Sequence, residues 1–257
     1  MSKQRTLRSW RGDAEGGQFE EYTVDVDEGM VVLDLIHQVQ KHHAGDLAVR
    51  WNCKAGKCGS CSMEINGTPK LACMTRLSDY EEGTTVQVQP LKAFPLVKDL
   101  VCDVSWNFRQ NERIRPFTPG PRPASGDYVM HQVDVDRIQE FRKCIECFLC
   151  QDTCHILRDH DKKDAFAGPR FMIRVAQLDM HPLDTVDRIP ALRDDLGSGM
   201  CNITRCCTEV CPEHINITDN GIIPMKERVV DRFYDPVTML LRKVFGWGSK
   251  RPNPPPS

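Results

Sequence analysis

The 13 cysteines of this 257-residue chain are unevenly spread, and their spacing carries the chemistry. Cys144, Cys147, Cys150 and Cys154 run C-x2-C-x2-C-x3-C. Cys201, Thr204, Cys207 and Cys211 repeat that spacing, with threonine where the second sulfur would stand and Pro212 after the last. Where two such runs serve a pair of iron–sulfur cubes, three close cysteines hold three corners of one cube and the fourth crosses to the other. By that rule Cys144, Cys147, Cys150 and Cys211 complete a [4Fe-4S] cluster. Cys154, Cys201 and Cys207 supply only three thiolates, which suits a cube short of one iron, a [3Fe-4S] cluster. A four-iron cube with a hydroxyl or water at the fourth position is the alternative.

A third set stands upstream: Cys53, Cys58 and Cys61 in "CKAGKCGSC", then Cys73 in "LAC". C-x4-C-x2-C with a distant fourth cysteine is the plant-type spacing for [2Fe-2S]. Ala55, Gly56, Gly59 and Ser60 are small, so the loop can wrap a cluster with its amides aimed at the sulfurs. Gly56 and Gly59 can also take positive φ, which other residues resist. Arg50, Lys54 and Lys57 add positive charge that favours the reduced, more negative state and raises the potential.

Two plainer explanations compete. Disulfides suit short secreted scaffolds, which are far denser in cysteine than this chain. No basic-then-apolar leader opens the sequence, which points to a reducing cytosolic compartment. Zinc is the closer rival, since C-x2-C is also its signature. Zinc sites pair two such knuckles at a distance, however, and three cysteines at i, i+3, i+6 plus a fourth give zinc an excess. A net charge of -2 gives no reason to propose nucleic acid or broad anionic-lipid binding. No apolar stretch approaches the roughly 18 residues that cross a bilayer, so the chain is expected to be soluble, with any membrane link made through a partner.

Length and 40% hydrophobic content fit two modest domains. Tyr22, Val24 and Val26 alternate with polar residues, the mark of a half-buried strand. Leu33, Ile36, Val39 and Gln40 fall at helical spacing, with Asp34 in the first turn. Asn66-Gly67 is a strong hairpin signal that delivers Cys73 to the upstream site. Val86 and Val88 alternate again. Residues 107–127, rich in Pro, Arg and Gly, read as a connector. Beyond them Phe171, Met172, Val175, Ala176 and Leu178 form an amphipathic stretch after Gly168-Pro169. Another helix is expected to start near Pro224, with Val229 and Val230 inward. Met239, Leu240, Leu241, Val244 and Phe245 suggest a short docking helix, with Trp247, Lys250 and Arg251 as a weaker membrane-surface contact. Residues 248–257 read as a disordered polyproline-prone tail. The eight histidines, including His42-His43, read singly as surface or satisfied core residues.

The ordered set of three sites, with "CGSC", "CIEC", "AGPR" and "CTEVCP", resembles the iron–sulfur subunit of succinate dehydrogenase and fumarate reductase over about residues 5–235. The resemblance implies an α+β chain: an N-terminal β-grasp plant-type ferredoxin domain (1–112), then an all-α bacterial ferredoxin-like domain (113–247). It implies an electron-transfer subunit without a dicarboxylate-binding site of its own. Two partners are implied: an FAD-containing dehydrogenase subunit, and a transmembrane anchor, often with haem b, that serves quinone. The chain is then peripheral at the cytoplasmic face of the cell membrane. The [2Fe-2S] site is implied to lie by the flavin, the [4Fe-4S] in the middle and the [3Fe-4S] towards the membrane.

Ubiquinone-linked members often have proline and then a tryptophan pair after the cysteine matching Cys154, and histidine after that matching Cys201. Here His155, Ile156, Leu157 and Arg158 follow the first and Asn202 the second, so the quinone pocket does not carry over. Members using menaquinone with a diheme anchor look closer. His155 and Arg158 are read as anchor-surface residues before quinone or haem-propionate contacts. Cys206 breaks the ligand register and is read as a small buried thiol; Cys102 receives no role. A freestanding ferredoxin-like carrier, a zinc protein and the thiol-linked fumarate reductases stay open as rivals, and the direction of electron flow is not legible.

Overall fold

The computed structural model describes residues 3–245. They form two compact units: residues 3–106, 145–161 and 209–213 make one, and residues 107–144, 162–208 and 214–245 the other. Sheet and helix are both substantial, so the chain is α+β.

The first unit is built on strands β1 (Lys3–Asp13), β2 (Gly16–Val26), β3 (Ser62–Ile65), β4 (Thr68–Leu71) and β5 (Val86–Gln89), with helix α1 (Val32–His42). Their order is β2-β1-β5-β3-β4; β1 and β5 run parallel and the other neighbours antiparallel. Alternation decides the faces: Val24 and Val26, Met63, Ile65, Val86 and Val88 point into one apolar cluster with Leu33, Leu35, Ile36 and Val39 of α1. Each such side chain fully buried contributes about 1.5–3 kcal/mol. Helix α1 starts where the Asp34 carboxylate accepts the Val31 amide at 3.1 Å. Asn66 and Gly67 sit at φ +48° and +77°, the doubly left-handed turn that a tight β3–β4 hairpin requires. Cys61 and Cys73, just outside the two ends of that hairpin, are buried in the same core. Short strands β6 (Leu96–Lys98) and β7 (Val101–Cys102) pair antiparallel, and buried Asp99 accepts the amides of Gly12 and Ala48, both at 2.9 Å.

Helix α2 spans Ser105–Glu112, so the expected connector begins only after it. The periodicity was invisible because its buried residues, Asn107 and Gln110, are polar. In the second unit the connector is pinned rather than loose: Arg188, paired with Asp184 at 2.7 Å, donates to the carbonyls of Arg115 and Pro116. This unit is helical, with α3 (Gln132–Gln139), and, after the first unit's α4 (Leu149–Asp152) and α5 (His155–Arg158), α6 (Pro169–Asp179), α7 (Ile189–Asp194), α8 (Cys206–Glu209, ending in the first unit), α9 (Ile223–Phe233) and α10 (Pro236–Phe245). Phe171, Met172, Val175, Ala176 and Leu178 are all buried on α6, which opens at Gly168 with φ +90° followed by Pro169. On α9, Met225 and Val229 face inward four residues apart, and Val230, one step of about 100° further round, is exposed rather than inward as expected. Val237, Met239, Leu240, Val244 and Phe245 of α10 are exposed. Trp247, Lys250, Arg251 and the expected tail lie outside the described residues. Among the described residues no helix is long and apolar enough to cross a membrane.

Candidate metal centres

The upstream loop gathers all four of its cysteines. Cys53 accepts the amides of Ala55 at 3.4 Å and Lys57 at 3.3 Å, and Cys61 accepts the amide of Cys73 at 3.4 Å. Burial opposes ionisation of Cys58, but the Ser60 hydroxyl, the Cys53 and Ser60 backbones and the Cys53 thiol outweigh it and bring the thiol down to about 6. Burial pushes Cys61 the other way, up to about 12, helped by the neighbouring Cys73 and Cys58 sulfurs. Cys58 thus feels Cys53, and Cys61 feels Cys73 and Cys58; bound to iron, such thiols would be deprotonated outright.

Conformation supports the same fit. Gly56 and Gly59 have φ of +66° and +67°. A Cβ on Gly56 would meet Met74 Sδ at 2.8 Å, and one on Gly59 would meet Cys147 Cα at 2.6 Å. Within this unit the loop therefore lies directly on the backbone of the next cysteine run. The Ser62 hydroxyl, 2.8 Å from both the Gly59 and Cys147 carbonyls, ties the two together. The charge around the loop is less positive than the sequence suggests. Lys57 pairs with Glu213 at 3.1 Å, and Lys54 lies 3.8 Å from Asp34 and over the Trp51 ring.

The other two runs share a backbone signature. Glu146 and Phe148, flanking Cys147, have φ of +55° and +62°; Ile203 and Arg205, flanking Thr204, have φ of +62° and +65°. Left-handed non-glycine residues cost roughly 1–3 kcal/mol each and persist only where the surroundings enforce them. Two pairs at matching positions mark a repeated loop, in which Thr204 occupies the place of Cys147. Cys147, Cys150, Cys154 and Cys211 belong to the first unit, and Cys144, Cys201 and Cys207 to the second. Cys150 lies in α4, and Cys154 caps α5, its carbonyl accepting the amides of Leu157 and Arg158 at 2.9 and 2.8 Å. In the second unit Cys207 Sγ lies 3.5 Å from the Thr218 hydroxyl, and Lys226 Nζ reaches the Cys201 carbonyl at 2.7 Å.

The two remaining thiols separate. Cys102 is buried, with its thiol pushed up to about 12 by burial. Cys206 is only half-buried, contrary to expectation, with its sulfur 3.3 Å from the Thr204 hydroxyl. Adjacent positions on a helical turn point about 100° apart, so burying Cys207 turns its neighbour outward.

One constellation had no signature in the cysteine spacing. Glu64 of β3 is fully buried, and Arg158 Nη1 meets it at 2.8 Å, with Lys92 at 3.6 Å and the Gln89 amide also donating. Asp152 of α4, also buried, accepts the Ala93 amide at 2.9 Å; burial, then the Glu64 charge, raises its carboxyl to about 7. Arg158 thus reaches inward to Glu64, a pairing that its position in the sequence does not suggest. A buried charge needs a partner, but nothing in the sequence reveals that β3 supplies one to α5.

Family models match two segments: a 2Fe-2S iron-sulfur cluster binding domain over residues 5–109, and a 4Fe-4S dicluster domain over residues 140–215. The fumarate reductase iron-sulfur subunit of Mycobacterium tuberculosis is 33% identical over 77% of this chain and 81% of its own length. This chain belongs to that family. The fumarate reductase iron-sulfur subunit of Escherichia coli is 32% identical over 76% of this chain and 80% of its own. A chain of the Mycobacterium smegmatis Sdh1 complex in the apo form is 60% identical, with a TM-score of 0.90, covering 92% of this chain and all of that one. As a member of the succinate dehydrogenase/fumarate reductase iron–sulfur subunits, the protein is an iron–sulfur component of an oxidoreductase complex, with 2Fe-2S and 4Fe-4S domains in that order.

Proposed function

We propose that this chain is the electron relay of a membrane-associated succinate:quinone oxidoreductase, built as a β-grasp domain over residues 1–112 and a helical ferredoxin-like domain over 113–247. Cys53, Cys58, Cys61 and Cys73 hold [2Fe-2S]; Cys144, Cys147, Cys150 and Cys211 hold [4Fe-4S]; Cys154, Cys201 and Cys207 hold [3Fe-4S]. When bound, these clusters supply one-electron steps that link the FAD of a dehydrogenase subunit to quinone in a transmembrane anchor. The chain's own residues do the holding and the tuning. Amides of Ala55, Lys57 and Cys73 stabilise charge on the sulfurs of the first site, and the glycines at 56 and 59 let the loop close on it.

The observation that carries the reading is Thr204: its flanking residues repeat the left-handed pair around Cys147, yet it offers no sulfur. A site with one corner lacking a thiolate suits the three-iron cluster. The departures at His155–Arg158 and Asn202 favour menaquinone and a haem-b anchor over the ubiquinone-linked pattern, and the family resemblance supports the cytoplasmic face of the membrane as the location of the complex. Run in reverse, the same relay is a fumarate reductase, the name both relatives above carry.

Low-temperature EPR of the natively isolated complex, oxidised and then reduced stepwise, with iron and zinc quantified, tests this. The expected result is a three-iron signal in the oxidised state and two further centres on reduction. An EPR-silent oxidised sample with eight cluster irons in the helical half overturns the Thr204 reading and favours a ferredoxin carrier. Zinc without iron ends the electron-transfer reading.

A further inference from the structure

We infer that Thr218 sets the potential of the centre held by Cys207, its hydroxyl donating a hydrogen bond to the ligand sulfur. The inference rests on the proposed ligand role of Cys207. Thr218 is 1% exposed and lies in the π-helical turn Ile217–Ile222, a distortion that occurs frequently at functional sites. Its hydroxyl is 3.5 Å from Cys207 Sγ. A cluster-bound cysteine has no proton to give, so the hydroxyl must be the donor.

The neighbours force that orientation. The Thr218 amide donates to Thr208 Oγ1 at 3.1 Å, and the Thr208 hydroxyl donates to Thr218 Oγ1 at 3.1 Å. With its oxygen already accepting, Thr218 turns its own hydrogen towards the sulfur. Each bond polarises the next in a site shielded from water. The chain therefore ends as a strengthened donor on a group that becomes more negative on reduction. Reduction adds one electron to the cluster, and no proton leaves the chain of hydroxyls. Lys226, through the Cys201 carbonyl, places a positive charge by a second ligand of the same set. Both favour the reduced state, which suits the acceptor end of a relay.

The test is an EPR-monitored redox titration of the oxidised three-iron signal in the full membrane complex carrying Thr218→Val, Thr218→Ser or Thr208→Val. Valine keeps the shape and removes the hydroxyl. Thr218→Val is expected to raise the oxidised-to-reduced ratio at fixed ambient potential about tenfold, a downward shift of about 59 mV for one electron. Thr218→Ser should keep the parent midpoint, and Thr208→Val should shift it less, in the same direction. A full-intensity Thr218→Val signal at the parent midpoint overturns the inference. Should that variant fail to assemble its cluster, an unshifted Thr208→Val midpoint overturns it instead. A parent complex lacking any three-iron signal removes the ligand reading as well, and so separates the two failures.

Discussion

At Cys53 the sulfur meets the amides of Ala55 and Lys57; at Cys207 it meets the hydroxyl of Thr218. The first arrangement is written into the backbone. It needs two glycines at positive φ and small residues between the cysteines. The second is written into side chains drawn from elsewhere in the helical unit, and a single substitution can change it without moving the loop. Backbone donors give a site that is all or nothing, whereas side-chain donors give one that can be graded. The comparison yields an order of expected effects, beginning with the backbone.

Gly59→Ala should do the most damage. Its φ of +67° costs a side-chain residue roughly 1–3 kcal/mol, and its Cβ would stand 2.6 Å from Cys147 Cα, where backbone must shift. The expected outcome is loss of [2Fe-2S] iron and acid-labile sulfide from the purified complex. A variant with full cluster content would break the claim that the upstream site depends on backbone shape.

Next comes Arg158→Met, a side-chain change inside the first unit. It leaves fully buried Glu64 without its closest cation, with Lys92 3.6 Å away, the Gln89 amide donating and the buried Asp152 carboxyl beside it. Removing one partner of a buried pair costs about 3–5 kcal/mol, and Lys92 should hold the loss to the lower end. Chemical denaturation of the purified complex reads this directly. Double substitution with Glu64→Gln should recover part of the stability, because Glu64 then no longer holds a charge without its closest partner. Equal losses in the single and double variants would show that the pair does not clamp α5 to β3.

These two cases mark where the sequence was legible. The Asn66-Gly67 turn, the alternation in β2 and β5 and the apolar face of α6 each depend on residues close in the chain, and each appears where expected. The Glu64–Arg158 pair joins residues 94 positions apart by number, and the Thr218 bond to Cys207 starts from a π-helical turn that no residue type announces. Helix α2 hid because polar Asn107 and Gln110 occupy its buried face. Lys54 and Lys57 are visible as charges in the sequence, but their pairing with Asp34 and Glu213 is not, so sequence alone overstates the field at the loop.

Lys226→Met gives a gradable effect at the second region. The ammonium reaches the carbonyls of Cys201 and Ser198, at 2.7 and 3.2 Å. Removing a charge that acts through a carbonyl, on a half-buried side chain, should lower the three-iron midpoint by a few-fold in the oxidised-to-reduced ratio, less than Thr218→Val. The same redox titration measures it. A shift larger than that of Thr218→Val would reverse the ranking and make charge, rather than the hydroxyl, the principal control.

The smallest effect belongs to Cys102, which lies outside every ligand set and so tests whether sulfur alone confers function. Burial, with the Asp152 charge adding to it, lifts its thiol from 9.0 to about 12. The folded state thus holds a proton that the unfolded chain releases between pH 9.0 and about 12. Its contribution to stability is complete below that window and declines as pH rises through it. Cys102→Ala should leave all EPR signals intact, cost on the order of 1 kcal/mol for the lost packing, and flatten the alkaline fall in unfolding temperature. An unchanged alkaline slope would assign that fall to other groups, and a lost EPR signal would make Cys102 part of a centre that the spacing rule leaves it out of.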